Sequence, residues 1–153
     1  MIEVRAGGLD HPAVQELLHY HHREAHRRFP SGFAHALPPE ALADAAITFF
    51  SAWDDERLLG VAAPKRIDAD HAEVKSMRTH PDALRRGVAR ALLARVVGEA
   101  RARGFARLSL ETGTTQDFVA ANRLYEGFGF ADCLAFGDYP PSRFNRFMTL
   151  ALT

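Results

Sequence analysis

The chain has 153 residues, and its 19 basic and 19 acidic side chains cancel to a formal net charge of +0. That balance excludes the broad basic face of general nucleic-acid binding, and the length suits one domain that buries about 70% of its unfolded surface without staples. The single cysteine, Cys133, excludes an internal disulfide and a thiolate metal cluster, and no apolar run reaches the ~18 residues of a membrane span.

The chain opens with MIEVRAGGLD, which has no apolar signal region; with one cysteine, the expected setting is the reducing cytoplasm. Ile2 to Arg5 reads as a short strand. Asp10 is the expected N-cap of a first helix, with Pro12 in its first turn. Val14, Leu17 and Leu18 start its apolar stripe, and it runs to about Arg28. A Pro/Gly loop follows, then a short second helix at Glu40 to Ala46. Ile47 to Trp53 is β-branched and aromatic, Asp54-Asp55-Glu56 turns the chain, and Arg57 to Ile67 returns, which predicts a hairpin. His71 to Thr79 is a third strand of this group. Arg85 to Arg103 is a long, alanine-rich helix stopped by Gly104. Arg107 to Thr112 is a strand, Asp117 to Gly127 a helix, and Ala131 to Phe136 and Phe144 to Leu152 close the chain as strands. The order β-α-α-β-β-β-α-β-α-β-β predicts a mixed α/β (α+β) fold, one domain over 1–153, with no repeat, low-complexity tract or linker.

The stretch PDALRRGVARALL, Pro81 to Leu93, raises a chemical question, because a helix begins there with two arginines, a glycine and an alanine. First-turn N–H groups have no intrahelical acceptor and sit at the positive end of the helix dipole, so an anion satisfies both needs. Gly87 and Ala89 let the backbone come close to such a ligand. Arg85, Arg86 and Arg90 add charge-assisted donors. Lys65 and Lys75 are the only lysines, so 17 of the 19 basic residues are Arg, the side chain suited to bidentate anion contacts. The loop lacks both the Gly-Lys-Ser/Thr of a P-loop and a GxGxxG fingerprint, so the ordinary nucleotide folds are disfavoured.

With its neighbours, the stretch resembles a known family. EVKSMRTHPDALRRGVARALL is similar to the fourth strand and acetyl-CoA loop of the GCN5-related N-acetyltransferase (GNAT) superfamily. ARLSLETG is similar to its fifth strand, and AANRLYEGFGF to the helix and LY-x-x-x-GF element after it. The element order matches over nearly the whole chain. The runs FAHAL, EVKSMRT, LETG and GDYPPSRF resemble a bacterial small-molecule branch.

The resemblance implies a mostly antiparallel sheet whose fourth and fifth strands splay apart around the pantetheine arm of acetyl-CoA. It also implies acetyl transfer to a primary amine by direct attack in a ternary complex. Carried over, Met77, Arg78 and Thr79 line the pantetheine, and the Met77 N–H polarises the thioester carbonyl. The segment Leu84, Arg85, Arg86, Gly87, Val88, Ala89 and Arg90 holds the pyrophosphate. Tyr125 matches the general acid that serves the leaving thiolate. A thiol titrates near ~8.5 and a tyrosine near ~10, so full proton transfer is uphill by roughly 2 kcal/mol and a hydrogen bond serves as well. Two positions depart from the family pattern. Leu84 stands where Gln or Arg is usual, and Phe118 stands where many members carry an asparagine for pantetheine, leaving Asn122 as the asparagine candidate on that helix.

The general base has three candidates. Glu73 lies four residues before Met77, where histone-type members of the superfamily carry a glutamate. Burial would raise its pKa and Lys75, two residues on along the same strand face, would lower it. Glu111 on the next strand and His35 in a loop are the others. The acceptor wall has His22, His35, Arg78, Glu111, Asp138 and Tyr139 as candidates. His22 and His26 stand at i, i+4 without a third ligand, so no metal is expected. The expected cosubstrate is acetyl-CoA and the expected partner a small-molecule amine, with no nucleic acid and no membrane. A peptide or protein N-terminus or a lysine, and a non-catalytic acyl-CoA-binding module, stay open as alternatives. So does a homodimer, the state of many superfamily members.

Overall fold

The computed structural model describes residues 1–153. In chain order its elements are β1 (Glu3–Ala6), α1 (Pro12–Arg28), β2 (Phe50–Asp54), β3 (Arg57–Ala62), β4 (Lys65–Arg66), β5 (His71–Glu73), β6 (Arg78–Thr79), α2 (Val88–Ala102), β7 (Arg107–Gly113), α3 (Val119–Gly127), β8 (Ala131–Asp132) and β9 (Asn145–Ala151). One sheet runs β1-β2-β3-β6, all antiparallel. The other runs β4-β5-β7-β9-β8, antiparallel except for the β5–β7 pair. This is the α/β architecture the sequence predicts, and no helix is long and apolar enough to cross a membrane.

β2 and β3 are buried on both faces, which is why their sequences are apolar without strict alternation. Phe50, Ala52, Leu59 and Ala62 pack with the α2 stripe Val88, Leu92, Leu93 and Val96. Trp53, Leu58 and Val61 pack with Val14, Leu17 and Leu18 of α1. Each such fully buried aliphatic side chain stabilises the fold by about 1.5–3 kcal/mol. Gly60 sets how closely α2 seats: a Cβ there would lie 2.9 Å from both Val88 Cγ1 and Arg78 O. Any side chain at this position would push the start of α2 off the β3–β6 ladder.

The structure corrects several expected boundaries. The second helix is a single 3-10 turn at Pro39–Ala43, ended where Asp44 Oδ1 accepts from the Ala46 N–H at 2.8 Å. The returning strand breaks at Pro64, which has no N–H to donate. α1 is capped by His11 rather than Asp10, with Nδ1 accepting from the Ala13 N–H at 3.1 Å. The strand expected at Ala131 to Phe136 pairs only through Ala131–Asp132.

The largest difference is the third strand of the hairpin group, which is divided. His71–Glu73 belongs to one sheet and Arg78–Thr79 to the other. Ser76 takes the left-handed region at φ 50, which turns the chain between them. The Val74 N–H still donates to Ser109 O at 2.9 Å, and beyond that bond β7 parts from the chain leading into β6. The two sheets therefore separate around a cleft edged by β6 on one side and Leu110–Thr112 of β7 on the other.

Candidate active site

The cleft has a volume of about 760 Å³. At one end stands the turn into α2. The first backbone bond there is from the Ala91 N–H to Gly87 O at 3.0 Å, so the N–H groups of Leu84 through Arg90 meet no protein acceptor. Arg85 and Gly87 are both left-handed, at φ 63 and φ 83. Alternating handedness of this kind turns successive N–H groups toward one point and makes an anion nest. A Cβ on Gly87 would meet nothing within 4 Å. Its glycine is therefore explained by the backbone angle rather than by a need for space.

Leu84, Arg85, Gly87, Val88, Ala89 and Arg90 all line the cleft. Arg86 does not: its side chain turns to Asp54, with Nη2 3.5 Å from Oδ2, so only its amide remains with the loop. Leu84 is 59% exposed and offers no polar contact.

In the middle of the cleft, the Met77 N–H has no protein acceptor, and the Ser76 hydroxyl is buried without a partner. Both residues line the cleft, as do Arg78 and Thr79. The free amides, the orphan hydroxyl and the unpaired outer edge of β6 together fit an extended amide-bearing chain leading to a pyrophosphate. Tyr125 of α3 lines the same space, and its hydroxyl makes no protein hydrogen bond. Burial pushes its pKa up to about 12, against the opposing pull of the Arg78 charge.

Asn122 is not a cleft residue. It accepts from Thr112 Oγ1 at 2.8 Å and donates to Gly113 O at 3.0 Å, so its amide ties α3 to β7 and is not free for a cofactor. Asn122 thus positions the helix that carries Tyr125.

The far end holds a buried polar network. Tyr139 Oη donates to Glu73 Oε2 at 2.6 Å, Lys75 Nζ donates to Tyr139 Oη, and Lys75 Nζ lies 3.7 Å from Glu73 Oε2. Glu73 is only 3% exposed. Burial dominates its titration and raises its pKa, outweighing Lys75 and Tyr139, which favour the charged form. Burial likewise lowers the pKa of Lys75. Beside this group, His35 Nδ1 sits 2.5 Å from Glu111 Oε2, and Asn145 Nδ2 donates to the same oxygen at 2.9 Å. Glu73, His35 and Glu111 line the cleft together, although they come from β5, a loop and β7.

Two acceptor-wall expectations are corrected. His22 lies outside the cleft and stacks on His26 at 4.3 Å; the histidine that lines it is His21. The helical period starting from Val14, Leu17 and Leu18 leads to His21, Ala25 and Arg28, so the apolar stripe itself marks the correct face. Asp138 is exposed and outside the cleft, because the loop turns its neighbour Tyr139 inward toward Glu73 instead. Ser76, Asn145 and Arg28 carry no local motif and become visible only in the fold.

Comparison with known proteins agrees with this geometry. Residues 14–130 match the Acetyltransferase (GNAT) family. The chain is 43% identical over 152 residues to the uncharacterized N-acetyltransferase YedL of Escherichia coli (strain K12), covering 99% of this chain and 96% of that one. It is 46% identical over 123 residues to the uncharacterized N-acetyltransferase YsnE of Bacillus subtilis (strain 168), covering 80% and 82%. Among solved structures, a Bacillus subtilis acetyltransferase in complex with CoA superposes with a TM-score of 0.75 at 15% identity, over 100% of both chains.

Proposed function

The chain belongs to the GNAT family of N-acetyltransferases, and on that premise we propose that it moves the acetyl group of acetyl-CoA directly onto the primary amine of a small molecule or amino-acid derivative. The observation that carries this reading is the cleft itself. A row of unpaired amides at Leu84–Arg90, a free Met77 N–H and the Tyr125 hydroxyl lie along one wall system, with the buried Glu73 and half-buried Glu111 carboxylates at its far end.

The loop amides hold the pyrophosphate by charge-assisted bonds that need no particular side chain. The Met77 N–H donates to the thioester oxygen as negative charge develops on it. Tyr125 stabilises the departing thiolate. With its pKa near 12 against ~8.5 for a thiol, complete proton transfer is uphill by about 5 kcal/mol, so Tyr125 acts as a hydrogen-bond donor.

Glu73 receives the amine's proton. Its raised pKa narrows the gap to the amine, and the Tyr139 and Lys75 contacts hold the carboxylate in place. One arrangement favours a second reading for the base. With Nδ1 of His35 bonded to Glu111, its Nε2 is left without a protein partner in the cleft. An imidazole oriented this way by a carboxylate is a competent base.

Direct transfer is supported by Cys133. It lies outside the cleft, and burial raises its pKa, so little thiolate is available to carry an acetyl group. The test is release of free CoA thiol from acetyl-CoA across an amine library. Amine-dependent release with the acetylated amine as product supports the reading. Acetyl-CoA binding without release for any amine, peptide or protein would favour a non-catalytic acyl-CoA-binding module.

A further inference from the structure

Resting on that acetyl-transfer reading, we infer that the acceptor carries a carboxylate as well as its amine, and that Arg28 and Arg78 grip that carboxylate on the α1 wall of the cleft. Both arginines line the cleft, one from the last turn of α1 and the other from β6. Arg78 forms no ion pair, and Arg28 has only a long one that it shares. Arg28 Nε is buried with no partner, and the one carboxylate near the Arg28 side chain, Glu24, stands 3.7 Å from Nη2. Glu24 is already held by Arg27, through Nε at 3.0 Å and Nη2 at 2.9 Å.

Arg78 has no carboxylate partner. Its Nε donates to His21 Nδ1 at 3.0 Å, and its guanidinium lies 5.8 Å from the Tyr20 ring. His21 accepts with its Nδ1 lone pair, so the imidazole is neutral; burial and the Arg78 charge hold its pKa at about 3. His21 thus aims Arg78 without cancelling its charge. The two guanidiniums feel one another across the cleft wall, where an unpaired charge is expensive. A carboxylate is the compact, planar anion that two such donors match.

The cleft is also polarised. The α1 wall is cationic at Arg28 and Arg78, while the network wall presents Glu73 and Glu111. A molecule with an amine and a carboxylate a few bonds apart, such as a free amino acid, lies along that gradient with its amine toward the base.

The test compares matched acceptors: an α-amino acid, its carboxamide and its decarboxylated amine, each assayed with wild type, Arg28→Gln and Arg78→Gln. The free carboxylate should be preferred by about 10- to 100-fold in kcat/KM, mostly through KM. Each Gln variant should lose roughly tenfold of that preference, and acetyl-CoA affinity should stay within about twofold of wild type in Arg28→Gln, whose residue lies on α1 away from the β6 edge. Equal or better use of the neutral compounds by wild type overturns the inference, and this arm needs no variant to fold. A preference that survives in both variants also overturns it. So does a loss in Arg28→Gln that falls on acetyl-CoA affinity, which would make Arg28 part of the grip on CoA. Where no acceptor of the set is turned over, calorimetric titration of the same compounds into the CoA complex decides: tighter binding of the carboxylates supports the inference, and indifference overturns it. Failure of CoA to bind would overturn the acetyl-transfer reading and this inference together.

Discussion

The two ends of the cleft are built by different means. At the α2 turn, the free donors are backbone N–H groups from Leu84 to Arg90, with two left-handed residues among them. At the far end the groups are side chains brought from β5, β7, a distant loop and β9, buried or half-buried and each bonded to another. The first kind of site is local and tolerates side-chain change. The second is non-local, and its members hold one another in place by hydrogen bonds.

Substitutions can sharpen or break this contrast. The largest effect is expected for Tyr125→Phe, where turnover should fall by about 10²-fold, the lower range for one hydrogen-bond donor aimed at developing charge, with acetyl-CoA affinity nearly intact. A matching loss of affinity would make Tyr125 a packing residue. Glu73→Gln should lower turnover by about 10- to 10²-fold and abolish the acid limb of the pH–rate profile. The sign follows from burial: the base works when deprotonated, its pKa is raised, and so activity is lost as pH falls through a value above the ordinary carboxylate range. If the limb persists in Glu73→Gln and disappears in His35→Gln, the base is the His35–Glu111 pair.

Gly87→Ala tests the other end. Holding an L-residue at φ 83 costs roughly 1–2 kcal/mol, so acetyl-CoA affinity should drop about tenfold while kcat at saturation changes little. Tyr139→Phe should move the acid limb to higher pH, because the phenol donates to the Glu73 carboxylate and favours its charged form. The smallest effect is expected for Leu84→Arg. This exposed side chain contributes no polar contact, and an arginine there should improve acetyl-CoA affinity by no more than about threefold. A much larger gain would mean that the grip depends on side chains after all.

The same contrast decides what was legible in the sequence. The α2 turn reads from a short string because handedness, free N–H groups and helix start are local properties of Arg85 to Ala89. Tyr125 is legible as a cleft residue through its helix and the LYEGFGF element. Glu73 is singled out by the resemblance, four residues before Met77, but the contest between burial and Lys75 has no answer until the depth of the strand is known. The division of His71 to Thr79 was not legible, because it depends on which sheet each half joins and on Ser76 turning left-handed. The choice of His22 over His21 is a different kind of miss, since the α1 stripe held the information. Asn122 looked like a donor to a ligand; its two partners on β7 lie on a strand that only the fold brings alongside.

The backbone grip is tested most directly by calorimetric titration of acetyl-CoA against acetyl-pantetheine, which keeps the thioester and loses the pyrophosphate and nucleotide. Acetyl-CoA is expected to bind at least about 100-fold more tightly, the effect of two or more charge-assisted bonds at the Leu84–Arg90 amides. Equal affinity for the two compounds would contradict it.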